Sequence, residues 1–164
     1  MTNDKIYIFD TTLRDGAQTQ GVDFSIDDKI KIAHALDDLG VDYIEGGWPG
    51  ANPTDTEFFQ KNTNLKNSIM TAFGMTKKAG RSADNDPGLS SILNSNTRAV
   101  CLVGKTWDFH VDVALGISKE ENIENISEST KLFVKEKKEF MFDAEHFFDG
   151  FKNNKEYTLS CIKA

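Results

Sequence analysis

Short apolar runs rich in β-branched and aromatic residues alternate five times with longer segments of helical hydrophobic period. This alternation restricts the fold more than any other feature, because strands that alternate with helices form parallel sheets covered by helices. The predicted strands are 6–9, 43–44, 69–73, 99–103 and 140–142. The sequence therefore predicts an α/β protein of five βα units.

Capping residues predict where the helices begin. Ser25 and Asp28 form a capping box before the first helix, and Gly40 follows its last apolar residue, where a left-handed glycine belongs. Comparable start signals precede the next three helices, at Asn52-Pro53, Asp86-Pro87 and Ser118 with Glu121. A fifth helix is predicted to begin near residues 153–154. Because no stop signal precedes Ala164, we expect this helix to be cut rather than finished.

Chain length leaves two architectures open. Five units in 164 residues give about 33 residues per unit, so the eight units of a closed (β/α)₈ barrel need about 260 residues. Five units cannot close such a barrel. An open, doubly wound sheet of five strands is nevertheless a complete fold. The alternation of strands and helices alone does not separate an incomplete barrel from a small flavodoxin-like domain.

Charge and hydropathy exclude two classes of partner. The formal net charge is −7 and the pI is near 4.9, the wrong sign for neutralising nucleic-acid phosphates. The longest apolar run, 99–103, is far shorter than the roughly 20 residues of a membrane span, and residues 1–5 lack a signal pattern. We therefore expect a cytoplasmic protein without nucleic-acid or membrane partners. Cys101 and Cys161 are expected to be buried thiols.

Polar residues are concentrated in the connection after the first strand. The segment FDTTLRDGAQTQG contains Asp10, Arg14, Asp15 and Gln18 at the carboxyl end of a predicted parallel strand, where such sheets carry functional residues. Asp15 can bind a divalent cation, and the guanidinium of Arg14 can bind an anionic oxygen through two N–H groups. The alternative is a solvated turn with an Arg-Asp surface pair.

Two further strand ends carry candidate residues. The second strand is followed by Glu45 and a glycine-rich turn that lacks the spacing of a phosphate-binding loop. Glu45 either orients Arg14 or is an ordinary loop carboxylate. The fourth strand leads into a long connection with Lys105 and His110. Long connections of this kind often carry function, although a single histidine is more often structural.

The end of the fifth strand adds carboxylates. Asp143 and Glu145 share one strand face by the two-residue period, and His146 lies on the other. We expect Glu145 to face a site and His146 to pack or cap. His34 lies within the first helix and is interpreted as structural.

Five motifs occur in order across nearly the whole chain: FDTTLRDGAQ, YIEGGWPGANPTD, FGMTKKAG, GKTWDFHV and FDAEHFFDGFKNNKEY. The first resembles the N-terminal part of the 2-isopropylmalate, homocitrate and citramalate synthase family, within the DRE-TIM metallolyase superfamily. The other four resemble its citramalate synthase branch. The resemblance implies that residues 1–164 are the N-terminal part of a catalytic TIM-barrel domain, comprising about the first five βα units. It also implies that the later strands and a C-terminal regulatory region are absent from the chain.

The activity implied by the resemblance is a Claisen condensation. Acetyl-CoA as co-substrate condenses with pyruvate, or a related 2-oxo acid, to give citramalate in isoleucine biosynthesis. A divalent ion, Mg²⁺, Mn²⁺ or Zn²⁺, chelates the oxo acid. By resemblance Asp15 is the metal ligand, and Arg14 and Glu45 are catalytic. The substrate pocket is implied to include Gln18, His110 and Glu145, and the full-length enzyme is implied to be a homo-oligomer.

Three departures from the family pattern bear on these expectations. Related 2-isopropylmalate synthases commonly have a histidine at Cys101 and a serine at Asp143, so both residues favour the citramalate branch. The family completes its metal site with a His-x-His pair that His34, His110 and His146 do not provide. The chain alone is therefore expected to be inactive. The alternatives are a 2-isopropylmalate or homocitrate synthase, aldol-type cleavage of a 3-hydroxy acyl-CoA, or a silent half-barrel that acts only as an assembly partner.

Overall fold

A computed structural model describes residues 5–61 and 63–164 and contains one parallel sheet. All its neighbouring strands pair in parallel, and the strand order β1-β2-β3-β4-β5 follows the sequence. The strands are β1 Phe9–Asp10, β2 Tyr43–Gly47, β3 Ile69–Met75, β4 Ala99–Lys105 and β5 Glu139–Glu145. A flavodoxin-like sheet has the order 2-1-3-4-5, whereas barrel strands follow chain order. The observed order therefore favours the incomplete barrel.

The helices begin at the predicted caps. Ser25 and Asp28 form both halves of the capping box of α1, and Gly40 ends it in the left-handed conformation. Asn52, Asp86 and Ser118 each accept a backbone hydrogen bond at their helix starts. The helices are α1 Ile26–Leu39, α2 Pro53–Gln60, α3 Pro87–Asn94, α4 Asp108–His110, α5 Lys119–Lys135, α6 Phe147–Asn153 and α7 Lys155–Lys163.

The two faces of the sheet have different environments. Val100 and Leu102 are fully buried on the face that packs against Leu132 and Phe133 of α5. Side chains alternate along a strand, so Cys101 between them points to the opposite face. That opposite face is the interior of a barrel, and it carries the candidate site.

The first strand differs from its prediction. Residues 6–9 were expected to form it, but β1 is Phe9–Asp10, and Ile6, Tyr7 and Ile8 are 85%, 59% and 56% exposed. Among the described residues β1 pairs only with β2. Of the residues 6–8 that precede β1, only Ile8 is hydrogen-bonded to this neighbour, through Asp42 and Tyr43. An apolar run specifies a strand only where a partner strand and a covering layer are present.

The last helical segment was predicted only in part. The fifth helix was expected near residues 153–154, and α7 does begin there, with Asn154 accepting from the backbone of Tyr157. The preceding α6 was missed, because it has no side-chain cap at its first turn. Cys101 and Cys161 are buried free thiols, as expected. None of the described helices is long and apolar enough to cross a membrane. Residues 1–4, which were expected to lack a signal pattern, lie outside the described residues.

Candidate active site

The connection after β1 is a compact turn that presents its polar residues at the carboxyl edge of the sheet. The carbonyl of Thr11 accepts hydrogen bonds from the backbone N–H groups of Arg14, Asp15 and Gly16 at 3.1, 2.9 and 3.1 Å. A short 3₁₀ turn, Gly16–Gln18, follows. These bonds fix the backbone that carries Arg14 and Asp15 before any side-chain contact is made.

Arg14 is held on three sides. Its Nε donates to Oε2 of Glu45 at 2.6 Å, and an Nη1 hydrogen bond reaches Oδ1 of Asp15 at 3.0 Å. Its guanidinium carbon lies 4.0 Å from the centroid of the Phe73 ring in β3. Charge-assisted bonds and ring stacking together leave a planar guanidinium little freedom. The structure thus brings together Arg14, Asp15 and Glu45, from the β1 connection and β2.

Glu45 is the most buried charged group of this cluster. It is 1% exposed, whereas the side chain of Asp15 is 63% exposed. Burial raises the pKa of Glu45, the Arg14 guanidinium opposes that shift, and the carboxylate of Asp143 adds to it. The ion pair with Arg14 stabilises the ionised form of Glu45 against the desolvation penalty of burial.

Two residues outside the predicted site set complete the electrostatics. Burial, together with the nearby carboxylates of Glu45 and Asp143, raises the pKa of the Cys101 thiol in β4 to about 12. Burial raises the pKa of Asp143, as do Glu145 and Asp15, while Arg14 lowers it. The sequence signal for Asp143 was its two-residue spacing from Glu145. Nothing in the spacing pointed to Cys101.

Gln18 shares a cavity with Arg14. The cavity has a volume of about 290 Å³ and lies between the connections that follow β1 and β2, with Trp48 and Lys29 in its walls. A side-chain amide can donate and accept hydrogen bonds. Gln18 therefore lies where it can contact a small polar molecule that also touches Arg14.

His110 and Glu145 lie further along the same edge and make other contacts. The ring of His110 packs 4.8 Å from Trp107 and 4.4 Å from His146, measured between centroids. Glu145 forms an ion pair with Lys105. His110 lies in the connection after β4 and Glu145 at the end of β5, as predicted, but the contacts found for them do not join them to Arg14.

The net charge of the cluster suits a metal ion, but the arrangement of its side chains does not form a metal site. One guanidinium faces the carboxylates of Asp15, Glu45 and Asp143, which leaves net negative charge. Within the described residues, however, no group of three or more His, Cys, Asp or Glu side chains is arranged to hold a metal ion. Divalent cations require about six ligands, so these residues do not form a complete metal site.

The family profile named HMGL-like matches residues 5–155. The chain belongs to the HMGL-like family. An (R)-citramalate synthase from Aquifex aeolicus (strain VF5) is 50% identical to it over 163 residues, which are 98% of this chain and 31% of that protein. Two proteins from Sulfolobus acidocaldarius differ in their similarity: its (R)-citramalate synthase is 45% identical and its 2-isopropylmalate synthase is 31% identical. These alignments cover 99% and 97% of the chain, and 32% and 39% of the relatives.

The HMGL-like chain spans about a third of the length of the citramalate synthases that it matches. Its fold is also that of hydroxymethylglutaryl-CoA lyase from Pseudomonas aeruginosa, with a TM-score of 0.65 over 84% of this chain and 45% of that one. At 17% identity this likeness concerns the fold alone. The five strands are thus about half of a TIM-type barrel, as the resemblance implied.

Proposed function

We propose that this chain is the part of a citramalate synthase-type acyltransferase that carries the Arg14–Asp15–Glu45 cluster. The observation behind the proposal is a fixed guanidinium at the carboxyl edge of the sheet, with Nε bound to a buried carboxylate. Active sites of parallel barrels lie at that edge. The similarity to curated citramalate synthases supports the same reaction class.

The chemistry required is stabilisation of a developing oxyanion. In the proposed reaction, the methyl carbon of acetyl-CoA loses a proton and bonds to the ketone carbon of pyruvate. The ketone oxygen becomes an alkoxide that then takes up a proton, and hydrolysis of the thioester by water releases CoA. With Nε and Nη1 of Arg14 bound to carboxylates, the remaining guanidinium N–H groups are the donors for that oxygen. Because these donors are fixed beforehand, they need no reorganisation during reaction. Glu45 positions Arg14 and balances its charge in the ground state.

A second cavity supports a CoA thioester as co-substrate. It has a volume of about 700 Å³ at the ends of β3 and β4. Its lining combines apolar and neutral polar residues with one acidic residue, Asp86, and four cationic ones, Lys77, Lys78, Arg81 and Lys105. Pantetheine is a long, mainly apolar arm, and the nucleotide of CoA carries phosphates that bind cationic side chains. We propose that this cavity receives acetyl-CoA while the oxo acid binds near Arg14 and Gln18.

Pyruvate is the proposed oxo acid. The citramalate synthase of Sulfolobus acidocaldarius is 45% identical to this chain and its 2-isopropylmalate synthase is 31% identical, a difference of 14 percentage points. Phe73 and Cys101 lie side by side on the interior face in register, next to Glu45 and Arg14. A larger oxo acid, as in 2-isopropylmalate or homocitrate synthesis, is the alternative, and so is aldol-type cleavage.

The remaining roles are also proposals. Asp15 supplies one ligand of a divalent ion, Mg²⁺, Mn²⁺ or Zn²⁺, and His110 and Glu145 contact substrate from the fourth and fifth strand ends. We propose that residues 1–164 are part of a catalytic barrel domain of a cytoplasmic homo-oligomer. In the cell this activity serves isoleucine biosynthesis.

A second candidate function rests on exposed apolar surface. Ile6, Tyr7 and Ile8 are more than half exposed beside β1, which pairs on one side only within the described sheet. Such an edge favours pairing with another chain. We propose as the alternative that the 164-residue chain is catalytically silent and acts in assembly. Sedimentation together with an activity assay separates the two, because an active, stable monomer contradicts the assembly role.

The experiment is a thiol-release assay on the protein encoded by the complete reading frame. Acetyl-CoA and Mn²⁺ are supplied with pyruvate, 2-oxoisovalerate or 2-oxoglutarate, and the products are identified by mass spectrometry. The proposal expects release only with pyruvate, and citramalate as the product. Asp15→Asn should raise the Mn²⁺ concentration needed for half-maximal rate about 10-fold or more. Equal turnover with 2-oxoisovalerate would move the protein to the 2-isopropylmalate branch.

A further inference from the structure

A buried ion pair lies in the wall of the cavity that Arg14 and Gln18 share, and the proposed function gives its two residues no step. Lys29 in α1 is 2% exposed and Asp55 in α2 is 8% exposed, and their side chains form a salt bridge. Burying two charges carries a large desolvation penalty, and apolar residues of similar size often replace such pairs without loss of stability. The other contacts of the pair therefore indicate its role.

Lys29 holds the backbone of a β-bulge. β2 shifts register against β3 between Glu45 and Gly47, which makes Gly46 the extra residue. Bulges recur beside active sites, where they redirect a neighbouring side chain. The carbonyl of Gly46 accepts a hydrogen bond from Nζ of Lys29 at 3.0 Å. Lys29 thus supplies a buried donor to the residue that directly follows Glu45.

Asp55 holds the other side of the same bulge. Its Oδ2 accepts from the backbone N–H of Trp48 at 2.9 Å and from Nδ2 of Asn52 at 3.0 Å. Gly47 lies between, with φ +146°, and a Cβ there would come within 2.6 Å of Cγ of Asp55. The carboxylate of Asp55 therefore packs directly on the bulge backbone, where only glycine fits.

We propose that Lys29 and Asp55 are positioning residues that fix the β2 bulge so that Glu45 meets Nε of Arg14. Glu45 immediately precedes the bulged residue, so the direction of its side chain follows from the backbone of residues 46–48, which Lys29 holds at Gly46 and Asp55 holds at Trp48. The contact that depends on this direction is the 2.6 Å hydrogen bond between Glu45 and Arg14. Its importance for turnover rests on the proposed function, whereas the positioning itself does not.

The test observes the side chain of Arg14 directly by NMR of the 164-residue chain. An Arg Nε–H bonded to a buried carboxylate has a ¹H–¹⁵N signal displaced from that of a solvated arginine, and Arg14→Lys assigns the signal by removing it. Arg98 provides the solvated reference, since its side chain is 76% exposed and its Nε lies 4.0 Å from Oε2 of Glu139, beyond hydrogen-bond distance. The variants are Lys29→Met, Asp55→Asn and the double variant. The double variant leaves no unpaired buried charge and so remains available if a single variant does not fold.

Asp37→Asn is the matched control. Asp37 is 2% exposed and accepts hydrogen bonds from the backbone N–H groups of Lys66, Asn67 and Ser68, at the far end of α1. Like Asp55, Asp37 is a buried aspartate that accepts backbone hydrogen bonds, but it makes no contact with the bulge, so its replacement tests the effect of losing such a residue elsewhere. It should lower the melting temperature while leaving the Arg14 signal in place.

The expected result is that each folded variant of the pair moves the Arg14 Nε–H signal toward that of Arg98, whereas Asp37→Asn does not. In the protein from the complete reading frame, the double variant should lower kcat about 10- to 100-fold with a smaller change in KM. An unmoved Arg14 signal in the double variant overturns the inference. The ion pair would then only connect α1 to α2. If the Arg14 signal stays in place in the double variant while Glu45→Gln abolishes turnover, the inference alone fails; if the wild-type protein turns over no oxo acid, the proposed function alone fails.

Discussion

The Nε atom of Arg14 donates a hydrogen bond to Oε2 of Glu45 at 2.6 Å, although 31 positions separate the two residues. The contact exists because β1 and β2 are parallel neighbours, with Phe9 beside Tyr43. It joins a guanidinium whose side chain is 16% exposed to a carboxylate whose side chain is 1% exposed. Removal of Arg14 leaves the buried Glu45 carboxylate without its cation, and removal of Glu45 frees the Nε of Arg14, so this pair is the most informative place for substitution.

Replacement of Arg14 by lysine tests whether the guanidinium itself is required. Lysine keeps the charge but cannot bind Glu45 and Asp15 and still present a fixed pair of N–H groups. We expect Arg14→Lys to lower kcat/KM by about 100-fold or more. Steady-state thiol release by the complete protein measures the effect. Activity within about threefold of wild type would show that charge alone suffices.

A glycine substitution tests the β2 bulge. Gly47→Ala places a methyl group against Asp55 at a positive φ, so we expect a loss of about 3 kcal/mol in the free energy of unfolding, from strain and overlap combined. Gly80→Ala is the control, because Gly80 also has a positive φ but has open space where a Cβ would lie. It should cost about 1 kcal/mol. Urea unfolding compares them, and equal losses would contradict the packing of Asp55 on the bulge.

The two thiols should be unreactive in the folded chain. Burial, reinforced by Glu45 and Asp143, raises the pKa of Cys101 to about 12, and burial raises the pKa of Cys161. The thiolate is the reactive species, so we expect both to react with an aromatic disulfide at pH 8 at least about 100-fold more slowly than in urea. Fast reaction of Cys101 in the native state would contradict its burial beside Glu45. The prediction also matters for assays that detect released CoA thiol.

Asp37 gives a pH dependence with a defined sign. Burial acts to raise its pKa, but the backbone N–H groups of Lys66, Ser68 and Asn67 outweigh burial and lower the pKa to about 2, from 3.8. The folded state therefore binds fewer protons than the unfolded state, and the stabilisation from this group is complete above pH 3.8 and is lost toward pH 2.

Asp37→Asn should consequently cost about 1–3 kcal/mol at pH 7, with the difference from wild type shrinking as the pH falls below 4. Urea unfolding at pH 7, 5 and 3.5 measures it. A difference that stays constant over this range would mean that the charge of Asp37 contributes nothing.

Local chemistry explains which parts of the fold were predictable. Ser25, Asn52, Asp86 and Ser118 bond backbone groups only two or three residues away, so their helix starts are legible in sequence alone. β1 was misplaced because strand length depends on a partner that hydrophobicity does not report. The bulge in β2 was missed for the same reason, since only pairing with β3 reveals the extra residue.

The sequence predicted which residues belong to the candidate site better than it predicted the contacts between them. Parallel strand ends converge, so Arg14 and Glu45 could be expected to lie near each other, and they are in contact. The partners that set their electrostatics, Cys101 and Asp143, come from strands at greater sequence distance. Their influence depends on the register across the sheet, which no spacing rule supplies. The functional roles of all the candidate residues remain predictions: Arg14, Asp15, Gln18, Glu45, His110 and Glu145.

The most direct measurement compares pyruvate-dependent thiol release from acetyl-CoA by wild type and Glu45→Gln, in the protein encoded by the complete reading frame. Glutamine has the same shape but cannot balance the charge of Arg14, and the exposed Glu57 in α2 provides Glu57→Gln as a matched control. We predict citramalate formation by wild type and by the control, and a loss of about 100-fold or more in kcat for Glu45→Gln. Undiminished turnover by Glu45→Gln would contradict the assignment of the Arg14–Glu45 pair as the centre of the reaction.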